Sequence, residues 1–170
     1  MAKQIIIRQA AKKDLPVLRK MNAEHFLLER TEYDKTLKTE WLGDERQKAH
    51  HLRVITGPDS VAFLAQDGDQ LVGYVECLIW KSKNPWRTID TRAEIINIFT
   101  DKKYRGQKIG SRLIKKVMSW ARGKKVGAVF VDPYVVNLRA IKFYRRNGFA
   151  DYKLCLEARL RGKKSQGRGA

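Results

Sequence analysis

Apolar positions along the chain follow two rhythms. Residues 5–10, "IIIRQA", and 61–66, "VAFLAQ", are short apolar runs that predict strands. "QLVGYVECLIW" at 70–80 follows the second run across Asp67-Gly68, whose positive-φ chemistry predicts a hairpin. "RAEIINIFT" (92–100) predicts another strand, and "AVFVD" (128–132), apolar without alternation, predicts an internal strand parallel to its neighbour. "YKLCLEARL" (152–160) alternates and predicts a final strand. Helical spacing fills the intervals. Leu15, Leu18, Met21 and Phe26 predict a helix over 14–30, with Asp14 as N-cap and Pro16 in the first turn. Leu37, Trp41 and Leu42 predict a weaker helix over 34–49, ended by "TGPDS" at 56–60. Ile109, Leu113, Val117 and Ala121 mark a helix over 108–122, and residues 137–149 read as a helix opened by Asn137 and closed by Asn147-Gly148. The predicted order is β-α-α-β-β-β-α-β-α-β: an α/β (α+β) sandwich around a mixed central sheet. Residues 1–160 form one domain, and the basic, glycine-containing 161–170 are expected to be a disordered tail.

Composition narrows the partners rather than the fold. The 170 residues carry 36 Lys+Arg against 18 Asp+Glu, a formal net charge of +18. Such an imbalance points to anionic partners: RNA, a ribosomal surface or a phosphorylated cofactor. The chain has no apolar run of about 18 residues, so no membrane span is expected. "MAKQIIIRQ" has too short an apolar core for a signal peptide. Cys77 and Cys155 lie far apart in apolar, strand-like runs without metal spacing, so both are expected to be buried free thiols in a reducing cytoplasm. His25, His50 and His51 have no carboxylate or cysteine at ligand spacing, and no metal is expected.

The chemistry concentrates at "YRGQKIGSRLI", residues 104–114. A glycine-containing turn here runs from a strand into a helix. A helix start exposes free backbone N–H groups and about half a positive charge, which suits phosphate. Gly106 and Gly110 would let an anion approach the backbone, Arg105, Lys108 and Arg112 add charge, and Ser111 adds a hydroxyl. A plain capped helix has much the same appearance. The segment lacks both the Lys-Ser/Thr of a nucleotide-hydrolysing P-loop and a GxGxxG.

"RGQKIG" resembles motif A of the GNAT superfamily of acyl-CoA-dependent N-acyltransferases, Arg/Gln-x-x-Gly-x-Gly/Ala, at Arg105 and Gly110, with Lys108 where the family usually has its first glycine. "NLRAIKFYRRNGF" resembles motif B at Asn137, Ala140, Phe143, Tyr144, Gly148 and Phe149. The resemblance spans roughly residues 4–158. It implies a GNAT fold and acetyl-CoA as co-substrate. The strand of 92–100 would part from that of 128–132, pantetheine would lie in the gap against the main chain of Ile98, Phe99 and Thr100, and the amide near Ile98 would polarise the thioester. The pyrophosphate would rest on the backbone of Arg105, Gly106, Gln107, Lys108, Ile109, Gly110 and Ser111, with Asn137 on the pantetheine arm or serving as a plain N-cap.

Two side chains are candidates for proton transfer. Glu94, eleven residues before Arg105, matches the spacing of the base in the histone-acetylating branch, and partial burial would raise its pKa. A strand-edge glutamate facing solvent reads the same way in sequence. Tyr144 matches the tyrosine that protonates the leaving thiolate; a core tyrosine sharing a helix face with Ile141 is the plainer reading.

The implied function is acetyl transfer from acetyl-CoA to a primary amine, with no covalent intermediate. The acceptor would be a protein N-terminus, a lysine or a small amine. Net positive charge argues against polycationic acceptors and for an amine on an anionic particle or a small acidic amine. A basic nucleic-acid- or ribosome-binding module, or a non-catalytic acyl-CoA sensor, are the alternatives on the same fold. A homodimer accords with the resemblance.

Overall fold

A computed structural model describes residues 5–81, 86, 88–89 and 91–158. In chain order the regular elements are β1 (Ile6–Gln9), α1 (Leu15–Glu32), α2 (Glu45–Thr56), β2 (Ser60–Asp67), β3 (Gln70–Lys81), β4 (Thr91–Thr100), α3 (Ile109–Gly123), β5 (Ala128–Phe130) and α4 (Leu138–Arg146). The five strands form one sheet in the order β1-β2-β3-β4-β5. The first four are antiparallel, and β5 is parallel to β4. The fold is α/β with a mixed sheet, as the patterning predicts. No helix among the described residues is long and apolar enough to cross a membrane.

Alternation along β2 supplies both faces of the sheet. Val61, Phe63 and Ala65 pack with Leu113, Val117 and Ala121 of α3 and with Tyr144 of α4. Ala62 and Leu64 turn to Leu18 and Met21 of α1 and Val54 and Ile55 of α2. Helices on both faces thus explain the unbroken apolar run of 61–65, all of it buried.

Several expectations need correction. The second helix runs over Glu45–Thr56, not 34–49. Gly43, at φ +86, breaks the chain, and Asp44 caps the new helix by accepting from Arg46 N at 2.6 Å. Its buried face is Gln47, His51, Val54 and Ile55, so two polar residues hide the helical period from an apolar pattern. Asp14 does not cap α1 with its side chain; the carboxylate instead accepts from Arg8 at 2.7 Å through both oxygens and from Ala11 N at 2.8 Å. The final strand of the predicted order is absent over 151–158. Tyr152, Leu154 and Leu156 are exposed, and Tyr152 is held by Arg92 through a 3.2 Å hydrogen bond and a guanidinium–ring contact at 5.1 Å. Alternation makes a segment able to pair, but only an available sheet edge makes it a strand, and the outer edge here is the three-residue β5. Cys155 in the same segment is exposed, not buried, whereas Cys77 is buried and its thiol pushed up to about 12 by desolvation and by Glu94. The expected tail over 161–170 lies outside the described residues.

Candidate active site

The sheet opens beside the start of α3. β5 pairs with β4 only at Arg92, Ala93 and Glu94, while β4 continues to Thr100. Ile95 through Thr100 therefore line a cleft of about 910 Å³, closed on its other sides by the start of α3, by α4 and by the end of α1. Along β4 the main chain is not uniformly available. Asp101 N–H bonds the Val72 carbonyl at 2.9 Å, and bonded pairs in an antiparallel ladder recur at every second residue. The register makes Tyr74/Phe99 and Glu76/Asn97 the next such pairs, so Ile98 and Thr100 turn their N–H and C=O groups away from β3, to the cleft side. Of the three expected main-chain contacts, Ile98 and Thr100 face the opening and Phe99 is engaged by β3. The Thr100 carbonyl also accepts from Arg105 Nε at 3.3 Å.

The turn into α3 has the geometry that an anion seat requires. Gly106 sits at φ +85, with nothing within 4 Å of a Cβ built there. Lys108 occupies the N-cap at φ 58, the left-handed conformation glycine adopts without strain, and makes no side-chain cap. Arg112 N–H is bonded back to the Lys108 carbonyl at 3.0 Å, and the N–H groups of Ile109, Gly110 and Ser111 precede it in the first turn, where a helix offers them no carbonyl. Gly110 has a second reason to lack a Cβ, which would stand 3.0 Å from Phe143 Cζ. It lets α4 pack on the start of α3. These unmatched donors and this open turn suit a diphosphate, and of the residues expected there Arg105, Gly106, Lys108, Ile109, Gly110 and Ser111 line the cleft while Gln107 does not.

Tyr144 reaches the same cleft from α4. Its ring packs edge-on against Phe143 and Phe149 at 5.2 and 5.4 Å, and burial, followed by the charge of Glu29, pushes its phenol well above the ordinary tyrosine range. Residues 144–149 close α4 as a Schellman turn: Phe149 N–H bonds the Tyr144 carbonyl at 3.2 Å, Gly148 N–H bonds that of Arg145 at 3.1 Å, and Gly148 takes φ +89. Asn137 caps the other end by accepting from Ala140 N at 3.0 Å, and it too lines the cleft. Glu94 is not brought to Tyr144. Its carboxylate accepts from the Trp80 indole at 2.7 Å, opposite Leu78, and does not line the cleft. Trp80 and Trp86 are exposed and lie outside the cleft as well, while Phe99 lines it.

Sequence reasoning missed the α1 wall. His25, Glu29, Glu32 and Tyr33 line the cleft, and Tyr33 stacks on Tyr134 with centroids 5.7 Å apart. The i, i+4, i+7, i+8 spacing of these four on one helix was a readable signal. It also missed a buried polar cluster beneath that wall. Glu76 Oε1 lies 2.6 Å from His51 Nδ1, and Oε2 accepts from Asn97 Nδ2 at 2.9 Å. The other ring nitrogen of His51, Nε2, is buried and among the described residues has no hydrogen-bond partner. His50, His51 and Glu76 place ligand atoms within 4.8 Å of one another, a grouping that only sheet packing creates.

Comparison with known proteins agrees with this geometry. Residues 18–149 match the model of the acetyltransferase (GNAT) family. An uncharacterised N-acetyltransferase of Methanocaldococcus jannaschii is 37% identical over 92 residues, 52% of this chain and 38% of its own length. N-alpha-acetyltransferase 30 of Schizosaccharomyces pombe is 29% identical over 101 residues, 59% of this chain and 65% of its own. The matched stretches thus span less than two thirds of either relative. Among solved structures, a Bacillus halodurans protein superposes with a TM-score of 0.81 at 20% identity, covering 91% of this chain and 99% of that one. The aminoglycoside acetyltransferase AAC(6')-Iy, in complex with the bisubstrate analogue CoA-S-monomethyl-acetylneamine, does so with a TM-score of 0.74 at 18% identity, covering 94% and 99%. At these identities the structures speak for the fold. With a family match over most of the chain, and a sheet that parts beside the turn into α3, this chain belongs to the GNAT acetyltransferase family.

Proposed function

We propose that this protein transfers the acetyl group of acetyl-CoA to a primary amine by direct attack, the acceptor being a protein N-terminus, a lysine or a small amine. The observation that carries the reading is the coincidence of three features in one cleft: the opening between β4 and β5, the unmatched N–H groups of α3, and the Tyr144 hydroxyl. The names of the relatives, an N-acetyltransferase and an N-alpha-acetyltransferase, support nitrogen as the acceptor atom. The coenzyme A analogue in AAC(6')-Iy supports the donor.

In this reading the diphosphate rests on the backbone of 105–111, and the Ile98 amide, turned from β3, polarises the thioester carbonyl. The neutral amine nitrogen attacks that carbonyl and loses a proton, the C–S bond breaks, the sulfur takes the phenolic proton of Tyr144, and the proton lost by nitrogen returns through solvent to the phenolate. A phenol held well above its ordinary range stays protonated at neutral pH and is available as the donor. Cys77, buried with its thiol pushed up to about 12, offers no nucleophile for a covalent route. The test is a thiol-release assay with acetyl-CoA across peptides with free N-termini, lysine peptides and small amines. Tyr144→Phe is expected to lower kcat by about 10²–10³ with acetyl-CoA affinity unchanged. Full activity in that variant would remove Tyr144 from the chemistry.

A further inference from the structure

We infer that Glu29 is the acceptor-side carboxylate of this cleft: it docks a cationic primary amine beside Tyr144 and takes the protons the nitrogen loses. The inference rests on the acetyl transfer proposed above and assigns the base and the charge class of its acceptor.

Two carboxylates of α1, Glu29 and Glu32, line the cleft, and they are not equivalent. Glu32 acts on Arg105, so a cation already answers its charge. Glu29 is shifted upward by burial, and its ion-pair contact is with the His25 ring rather than with a guanidinium or ammonium. Its close polar neighbour is His25 Nε2, 3.5 Å from Oε1, and burial holds His25 at about 4, so at neutral pH that ring brings no charge. A carboxylate whose side chain is only 30% exposed, on the α1 wall of a cleft whose cations Arg105, Lys108, Arg139 and Lys142 stand on other elements, is a receptor for an incoming ammonium.

Hydrogen bonds behind the carboxylate orient its His25 neighbour. Asn22 Nδ2 donates to Tyr74 Oη at 3.2 Å, which leaves the Tyr74 hydroxyl proton for His25 Nδ1 at 3.3 Å. The remaining His25 proton then sits on Nε2, facing Glu29. Gln47 Nε2 donates to Asn22 Oδ1 at 3.1 Å and ties this chain to α2, and Phe99 of the β4 wall packs on the His25 ring at 5.4 Å. From the other elements around the cleft, the charge of Glu29 reaches the hydroxyls of Tyr144 of α4 and Tyr134 of the β5–α4 loop, while that of Arg105, at the turn into α3, reaches His25. Glu29 and the proton donor for the leaving group therefore look into one space, which Glu94, bonded to Trp80, does not share.

The proton balance closes with these two groups. An arriving ammonium gives its first proton to Glu29, which passes it to solvent. The neutral nitrogen attacks the thioester carbonyl and gives its second N–H proton to Glu29. The C–S bond breaks, the sulfur takes the Tyr144 proton, and solvent returns the proton held by Glu29 to the phenolate. One proton is released per amide formed. Charges beyond about 8 Å are screened at physiological salt, so the acceptor meets the walls of the cleft, with Glu29 on α1 and Arg105 and Lys108 at the turn into α3, and not the whole surface.

The experiment uses the full chain with the most rapidly acetylated amine from the screen above, comparing wild type, Glu29→Gln and Glu94→Gln. Paired probes of matched shape, tyramine and tyrosine, report the effect of a carboxylate beside the acceptor amine. Glu29→Gln is expected to lose about 10²–10⁴ in kcat/KM and the acid limb of the pH profile, while acetyl-CoA binding by calorimetry stays as in wild type. Tyramine is expected to outrun tyrosine in the wild type and to lose that lead in Glu29→Gln. A Glu29→Gln enzyme within about threefold of wild type, with its acid limb intact, overturns the inference. So does the same loss appearing in Glu94→Gln alone, or a wild type that prefers tyrosine. A wild type that binds acetyl-CoA but acetylates no amine overturns acetyl transfer itself, an outcome distinct from these.

Discussion

His25 is packed between Tyr74 and Phe99, and burial depresses its pKa from 6.5 to about 4. A group that binds its proton less well when folded adds stability that is complete above its ordinary pKa and is lost as pH falls through the folded value. The window here is pH 6.5 to about 4. The full span amounts to roughly 3 kcal/mol. Urea midpoints measured across that window are expected to fall with acidification in the wild type and to fall less in His25→Gln. Glu29 acts in the opposite sense: its folded pKa is raised by burial, so its ionised form destabilises and acidification relieves it. Removing it in Glu29→Gln should steepen the fall. An unchanged slope in His25→Gln would mean that the ring is hydrated and ordinary.

At the scale of the element, α3 begins and ends on a lysine in the left-handed region. Lys108 has φ 58 at the N-cap, and Lys125 has φ 56 one residue past the C-cap. The C-terminal turn is a Schellman motif, with Val126 N–H on the Ala121 carbonyl at 3.0 Å and Lys125 N–H on that of Arg122 at 2.9 Å. Glycine is the usual residue at that place, because a Cβ in this conformation costs about 1–2 kcal/mol. Lys125→Gly is expected to stabilise by about 1 kcal/mol, read as a higher denaturant midpoint at unchanged m-value, with no effect on acetyl-CoA affinity. Lys108→Gly relieves the same strain but removes a cation from the cleft, so its gain in stability is expected to come with weaker coenzyme binding. If both variants behave alike in binding, Lys108 contributes only its backbone.

For the molecule as a whole, the charge and the cleft act together. In the proposed function, a net charge of +18 would draw an anionic cofactor, and the unmatched N–H groups at the start of α3 would fix where its phosphates stop. A ligand at 100 times its Kd stabilises the native state by about 2.7 kcal/mol, which for a chain of this size is about 5–10 °C in Tm. Acetyl-CoA is expected to give that shift in a thermal melt, and a smaller one as salt rises from about 50 to 200 mM. A shift produced by RNA and not by acetyl-CoA would make the basic surface, and not the cleft, the binding feature.

What the sequence determined by itself was local. The β2–β3 hairpin, whose turn is Gly68-Asp69, one residue on from the expected Asp67-Gly68, the turn at residues 105–110 and the cap and Schellman turn of α4 follow from residue type and spacing over a few positions, because backbone conformation and helix ends are decided by near neighbours. It also carried the element order as far as α4. The tertiary structure decided what contiguity cannot encode. Gln47 and His51 face the core because Asn22 and Glu76 wait there to bond them, so α2 lies where apolar spacing did not put it. Residues 152–158 alternate like a strand yet lie outside the sheet, because pairing needs an edge supplied by another part of the chain. Tyr144 was legible from its motif, whereas Glu29 comes to it from α1, far away in sequence. A carboxylate's neighbours, and hence its charge state and its use, are set by packing across the fold, and only folding brings those two side chains to the same cleft.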